Sequence, residues 1–335
     1  MLKNLVSKMV KIGTHNGTFH CDEVLACAML KLLPAFQDAE IVRSRDPKVL
    51  AECDIVVDVG GEFNVDTQRF DHHQKSFNET VSSLMEGKKW VTKLSSAGLV
   101  YVHYGKPIIK HVLDVQDDQL VDKVFDKVYA NFMEEIDAQD NGIPTHDGEA
   151  RYQISTHLGA RVANLRPKWN DDTQDFNAGF HRALDLVRPE FLDKVRYFAQ
   201  VWWPARGIVA TALEERFSLH KSGRIIFFQN GRCPYKEHLF DLEEEQGIAG
   251  HILYAVFADS NGSWRVSAVP VKDQAFESRL KLPAAWLALR DEELSGTSGI
   301  PGCVFVHANG FIGGNATKQG ALAMAIKSVE MSSHV

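Results

Sequence analysis

Hydrophobic and polar positions follow one another along this chain in blocks that predict an α/β protein. Val10 to Thr14 reads as a short strand running into a turn at Asn16-Gly17. From Asp22 to Leu33 the apolar residues Val24, Leu25, Ala28, Met29 and Leu32 recur at helical spacing, and Pro34 stops the run. Glu40 to Ser44 is a brief strand, and Asp54 to Val59 a stronger β-branched one ended by Gly60-Gly61. Two such strands with a helix between them predict βαβ units and a mainly parallel sheet. Further on, Leu94 to Tyr101 opens a serine-capped helix. Asp117 to Gln139 predicts a longer helix, with Val121, Val124, Phe125, Val128, Phe132 and Ile136 on one face. Asn141-Gly142 ends it and leaves Asp140 at its C-terminus.

The second half changes rhythm. Glu190 to His220 reads as helical, interrupted near Trp202-Trp203-Pro204 because proline lacks the amide donor of a helix interior. Strands are predicted at Arg224–Gln229, Ile252–Ala258, Trp264–Val269 and Val304–Ala308, with a last helix from about Ala316 to Val329. The expected organisation is an N-terminal domain over residues 11–189, a helical connector over 190–222 and a smaller α/β domain over 223–331.

Composition narrows the class. A chain of 335 residues is long enough for two cores, and a 44% hydrophobic share with 24% charged residues excludes wholesale disorder. The formal charge of −7 argues against a broad basic surface for duplex nucleic acid. It leaves room for a nucleotide or short single strand, because bound metal ions are local charges that such a count omits. The five cysteines form no C-x-x-C pair, which fits a reducing compartment. No apolar run approaches a membrane span, so no membrane partner is expected. Met1 to Lys11 holds Lys3, Lys8 and Lys11 and no acid. It resembles a very short organelle presequence, but without arginine or length the favoured reading is a ragged start before the first strand.

The chemistry gathers around Asp71-His72-His73. Two imidazoles beside a carboxylate offer nitrogen and oxygen donors that suit a borderline-hard divalent metal. His15, His20 and Asp22 lie upstream, Asp58 closes the second strong strand, and Asp140 lies downstream. Each falls just past a predicted strand or helix, the layout of a site at one edge of an α/β sheet. Each also has an ordinary role: His15 and His20 in a surface loop, Asp58 and Asp140 in turns beside glycine. His72 and His73, being adjacent, cannot serve one metal alike; one is a ligand and the other meets phosphate or donates a proton. Taken in this order the residues predict a two-metal phosphoesterase.

That order, His15…His20-x-Asp22, Asp58, Asp71-His72-His73 and Asp140, resembles the four motifs of the DHH phosphoesterase superfamily. The strings Gly13 to Glu23, Ser298 to His307 and Gly310 to Asn315 are similar, more closely, to the melanocyte-proliferating-gene protein family, over about Lys11 to Met331. The resemblance implies a DHH-type catalytic domain and a second domain that closes over the metals and holds substrate. It implies a metal-dependent 3′–5′ RNA exonuclease of nucleus or mitochondrion, with the cytoplasm as the alternative. By position, His15, His20 and Asp58 would hold one ion, and Asp22, Asp58, His72 and Asp140 the other, with Asp58 bridging. Asp71 would orient a histidine through its second ring nitrogen, and His73 would contact the scissile phosphate. His20 stands where the wider superfamily has an aspartate, and the His15-to-Asp22 spacing is one residue longer. A nitrogen ligand there makes the first site more positive and softer; manganese is the expected ion and magnesium the alternative.

Substrate contacts are expected in both halves. Gly313-Gly314-Asn315 before the last helix offers backbone N–H groups for a phosphate, flanked by His307 and Lys318. Arg265 could reach the substrate from its strand. Arg161, Lys168 and Trp169 combine cations with an aromatic, which suits a single-strand backbone and a stacked base. The expected substrate is single-stranded RNA. The alternatives are a small phosphate compound, such as pyrophosphate or a short oligonucleotide, and a metal-binding scaffold without catalysis.

Overall fold

A computed structural model describes residues 9–332, so most of the basic stretch Met1 to Lys11 lies outside the described residues. The chain forms two compact units that divide between Trp203 and Pro204. In the first, β1 (Lys11–Thr14), α1 (Cys21–Leu30), β2 (Glu40–Arg43), α2 (Pro47–Ala51) and β3 (Ile55–Val57) come in sequence, followed by β4 (Phe63–Asn64) and β5 (Arg69–Phe70). Helices α3 (Val81–Leu84), α4 (Ser96–Leu113), α5 (Asp118–Val128), α6 (Glu134–Asp140), α7 (Leu158–Ala163) and α8 (Phe176–Tyr197) complete it. The sheet order is β2-β1-β3-β5-β4, parallel throughout except for the antiparallel β4–β5 pair. The chain thus crosses from β1 to β2 on one side and returns to β3 on the other. Ligands of open α/β sheets bind outside the carboxyl ends of strands at such a reversal.

Helix α1 is buried on all sides, from Asp22 to Leu30, rather than along one stripe. It packs against both α4 and α8, so its polar residues Asp22 and Glu23 are enclosed with it. The predicted helix over 117–139 is present but contains a π-helical turn at Tyr129–Met133. Tyr129, Phe132 and Met133 of that turn are buried, as is Ile136 beyond it. Helix α8 begins well before Glu190, at Phe176 behind the Asp175 cap, and runs through Pro189. Its buried face (Phe180, Ala183, Val187, Phe191 and Val195) outweighs the hydrogen bond lost at the proline.

The stretch expected as a connector contributes to two cores. Phe191, Val195, Phe198 and Trp202 join that of the first unit, whereas Val209, Ala212 and Leu213 join one in the second. The second unit runs α9 (Ala205–Glu214), α10 (Arg216–Leu219), β6 (Ile225–Phe228), α11 (Tyr235–Glu245), β7 (Tyr254–Ala258), β8 (Trp264–Ala268), β9 (Pro270–Val271) and β10 (Gln274–Ser278). It ends with α12 (Asp291–Ser298), β11 (Cys303–Val306), β12 (Ile312–Asn315) and α13 (Lys318–Ser332). Its main sheet has the order β11-β12-β8-β7-β6, with only β6 and β7 parallel. Both units are therefore α/β. No helix of the described residues is long and apolar enough to cross a membrane.

Candidate metal centre

Three adjacent parallel strands deliver the site. His15 follows the last residue of β1, Asp58 the last of β3, and Asp71 the last of β5. Asp58 adopts a left-handed backbone conformation, φ 56°, which turns the chain sharply off the strand end. Aspartate tolerates that region better than most side chains, and such backbone strain concentrates at functional sites. The loop from His15 to His20 is braced by three arginines, of which Arg45 donates to Asn16 Oδ1 at 2.9 Å. Arg43 donates to the carbonyls of His15 (3.2 Å) and Gly17 (2.7 Å) and stacks 4.6 Å over the Phe180 ring. Arg166 donates to the Phe19 carbonyl at 2.6 Å.

Within this frame the predicted ligands converge. Asp58 Oδ2 stands 3.3 Å from His15 Nε2, and Asp58 Oδ1 stands 3.3 Å from His72 Nε2. Each oxygen of one carboxylate thus faces a different cluster. Around the first, donor atoms of His15, His20, Glu23 and Asp58 all lie within 4.8 Å of one another. Around the second, Asp22, His72 and Asp140 do the same, with His72 Nε2 3.1 Å from Asp140 Oδ2 and 4.0 Å from Asp22 Oδ2. Asp71 Oδ1 holds His73 Nδ1 at 2.7 Å, and Asp71 Oδ2 accepts from Gly61 N at 2.6 Å. The His73 side chain is 62% exposed, so its Nε2 edge is left to meet a ligand.

Electrostatics separate the groups. Burial alone would lower His15, but Asp58 and Glu23 outweigh it and raise the imidazole to about 10. His72 is likewise pulled up to about 9 by Asp140 and Asp58 against its burial. Asp58, although buried, is held well below the usual carboxylate range by these two histidines. Asp22 moves the other way, pushed up by its burial and then by the charges of Asp58 and Asp140. Without a cation, protons on the histidines balance the acids, and ion binding would release them.

A divalent cation fits these residues. Both carboxylate oxygens of Asp22 and Nδ1 of His72 are buried without a hydrogen-bond partner, and His72 Nε2 faces the carboxylates of Asp140 and Asp58. Such groups cost roughly 1–3 kcal/mol each when left unsatisfied, more when charged, and they are retained where a ligand completes them. The donors are imidazole nitrogens and carboxylate oxygens, which suit manganese, zinc or iron more than calcium.

A family model, MYG1_exonuc, described as an uncharacterised protein family (UPF0160), matches residues 11–329. The chain belongs to the MYG1 exonuclease family. Among its relatives, the mouse MYG1 exonuclease is 55% identical over 317 residues, covering 94% of this chain and 83% of its own length. The human MYG1 exonuclease is 53% identical over 327 residues, with 97% and 87% covered. A MYG1 protein of Saccharomyces cerevisiae is 44% identical over 337 residues, covering 97% of each chain. No solved structure matches the chain.

In this MYG1 family member four residues that the motif order does not single out support the site. Glu23 is fully buried, with Oε1 3.0 Å from His15 Nε2. Its signal was its place beside Asp22, where it reads first as a helix-capping residue. Ser96, in the first turn of α4, donates to Asp58 Oδ1 at 3.3 Å. The preceding Ser95 donates through its backbone N–H (3.0 Å) and Oγ (2.7 Å) to Asp137 Oδ1. Asp137 is one helical turn before Asp140 and also accepts from Tyr129 Oη at 2.8 Å. Nothing local marks Ser96 or Asp137 for the site; Asp58 and Ser95, with which they pair, lie about 40 residues away in the chain.

The expected substrate residues are distributed differently. Arg161 pairs with Glu190 at 2.8 Å and Lys168 Nζ donates to the Asn164 carbonyl at 3.0 Å, while Trp169 is 93% exposed. Arg265, His307, Gly313, Gly314, Asn315 and Lys318 belong to the second unit. Arg265 is ion-paired to Asp259 and lies over the Phe305 ring. Lys318 Nζ sits 4.0 Å over Phe227, and exposed His307 packs its ring 4.7 Å from Phe311. Gly313, Gly314 and Asn315, expected to offer backbone N–H groups to a phosphate, belong to β12 and are buried and paired with a strand on each edge. A Cβ at Gly314 would meet Arg265 Nη1 at 2.8 Å, so the glycine serves close packing across the sheet. The Asn315 side chain is likewise committed, donating to Pro301 O and accepting from Thr317.

Proposed function

We propose that this MYG1 family member hydrolyses phosphodiester bonds with two bound divalent cations and shortens single-stranded RNA from its 3′ end. The observation that carries the reading is Asp58, whose two oxygens each face a separate donor cluster at the carboxyl ends of adjacent strands. His15, His20 and Asp58 would hold one ion, and Asp22, Asp58, His72 and Asp140 the other. When bound, the pair would supply an acidified water and positive charge for the phosphate. Asp71 keeps the Nδ1 proton of His73 engaged, so the exposed Nε2 edge can donate to a phosphate oxygen once the ring is protonated. Trp169 offers an aromatic face for an unpaired base, and Lys168 a nearby charge for its backbone. The first unit is the catalytic domain in this reading. The second contributes substrate contacts through Arg265, His307 and Lys318. Relatives named exonucleases support a nuclease assignment. Manganese as the native ion and a nuclear or mitochondrial place of action belong to the same proposal.

A second reading is hydrolysis of a small phosphate compound. The ion pairs of Arg161 with Glu190 and of Arg265 with Asp259 favour it, since both cations are already partnered. RNA labelled at its 3′ or 5′ end, incubated with manganese, separates the two. The expected result is stepwise loss from the 3′ end, abolished by chelator. Intact RNA with every divalent metal, alongside rapid pyrophosphate release, would overturn the nuclease reading. Lys168→Ala with Trp169→Ala should raise KM for long RNA more than for a dinucleotide; equal effects would remove that segment from the substrate path.

A further inference from the structure

We propose that Glu23 is a direct ligand of the first cation, beside His15, His20 and Asp58. The inference rests on the two-cation reading and adds a residue to it. Its geometry is that of converging acceptors. His15 Nδ1 is taken up by the Asn16 carbonyl at 3.2 Å and Arg45 Nη2 at 3.3 Å, and its Nε2 is turned to the carboxylates. That nitrogen stands 3.0 Å from Glu23 Oε1 and 3.3 Å from Asp58 Oδ2. One nitrogen and two carboxylate oxygens at these separations repel unless a proton or a cation lies among them. The His20 ring completes the group, its centroid 5.8 Å from that of His15 and its side exposed for ion entry.

Charge points the same way. Among His15, His20 and Asp58, only Asp58 is anionic, and it is shared with the second cluster. A buried divalent ion would be left under-compensated by one carboxylate. Glu23 supplies the missing negative charge from the neighbouring turn of α1, where it is fully buried. Histidine at position 20 and a buried glutamate at position 23 therefore act as a pair.

A purely structural role is the alternative, because Glu23 also closes a capping box: both its oxygens accept from His20 N, at 2.8 and 2.9 Å. A carboxylate offers about four lone-pair sites, so capping does not exhaust Oε1. Glu23→Gln separates the two roles, since glutamine caps as glutamate does but carries no charge.

The test is manganese binding to the full chain, followed by calorimetry and by the electron paramagnetic resonance signal of free Mn²⁺, with thermal unfolding of the metal-free proteins as control. The wild type should bind two ions. Glu23→Gln should keep one at unchanged affinity and bind the other about 100-fold more weakly, while its metal-free form still unfolds in one cooperative transition. Two ions of unchanged affinity in Glu23→Gln would overturn the assignment and leave the two-cation reading standing. A wild type that binds no ion overturns both. Should Glu23→Gln not fold, the wild type labelled with ¹³C-carboxyl glutamate decides the matter by electron–nuclear double resonance on bound Mn²⁺. A ¹³C coupling supports ligation and its absence refutes it.

Discussion

Replacing Gly98 by alanine tests how the site is held. Gly98 lies in the first turn of α4, and a Cβ built there would collide with Asp137 Oδ1 and stand 2.6 Å from Oδ2. Neither partner can yield cheaply, because Asp137 is fully buried and held by Ser95 N, Ser95 Oγ and Tyr129 Oη. Overpacking costs ~1–3 kcal/mol, and loss of hydrogen bonds to a buried carboxylate a further ~1.5–3 kcal/mol. Alanine returns about 1 kcal/mol through its higher helix propensity. The net expectation is a loss of roughly 1.5–5 kcal/mol, read from urea unfolding followed by far-ultraviolet circular dichroism. Asp137→Ala removes the clashing atoms, so in that background Gly98→Ala should be neutral or stabilising by up to about 1 kcal/mol. An equal cost in both backgrounds would refute the steric argument. Because Ser96 donates to Asp58 and Asp137 shares α6 with Asp140, Gly98→Ala should also weaken manganese binding.

Two further predictions concern the same region. Asp58→Ala should abolish binding of both ions and with it the rise in unfolding temperature that manganese gives the wild type; retention of either ion at full affinity would exclude a bridging role. The pH dependence of stability should carry a signature of Asp137, whose burial raises its carboxyl to about 7 against an ordinary 3.8. A group raised in the folded state contributes stability fully below its unfolded value and loses it as pH climbs through the folded one. Urea midpoints of the wild type should therefore fall between about pH 4 and 7 relative to those of Asp137→Asn, and parallel curves for the two proteins would contradict this.

The short-range features of the fold were legible because their causes are local. The β-branched run at Ile55–Val57, the Ser95 cap and the stop at Asn141-Gly142 each act within a few residues, and each appears where expected. His15 and Asp58 could be placed at strand ends for the same reason, whereas the two-residue strand β5 ahead of Asp71 has no such local pattern. The π-turn at Tyr129–Met133 and the passage of α8 through Pro189 could not, since both depend on what those helices bury. Nor could the inclusion of Gly313 to Asn315 in a paired strand, where close packing across β8 decides the glycines' role.

By itself the sequence determined which residues could bind metal and the order in which strands and helices present them. Tertiary structure decided the rest. It set the two oxygens of Asp58 toward different clusters and enclosed Asp22 without partners. It also brought Glu23 to His15 and tied Asp137 and Ser96 to the site through α4. The physical reason is that donor identity and spacing are properties of the chain, whereas desolvation and charge balance belong to atoms that meet only after folding.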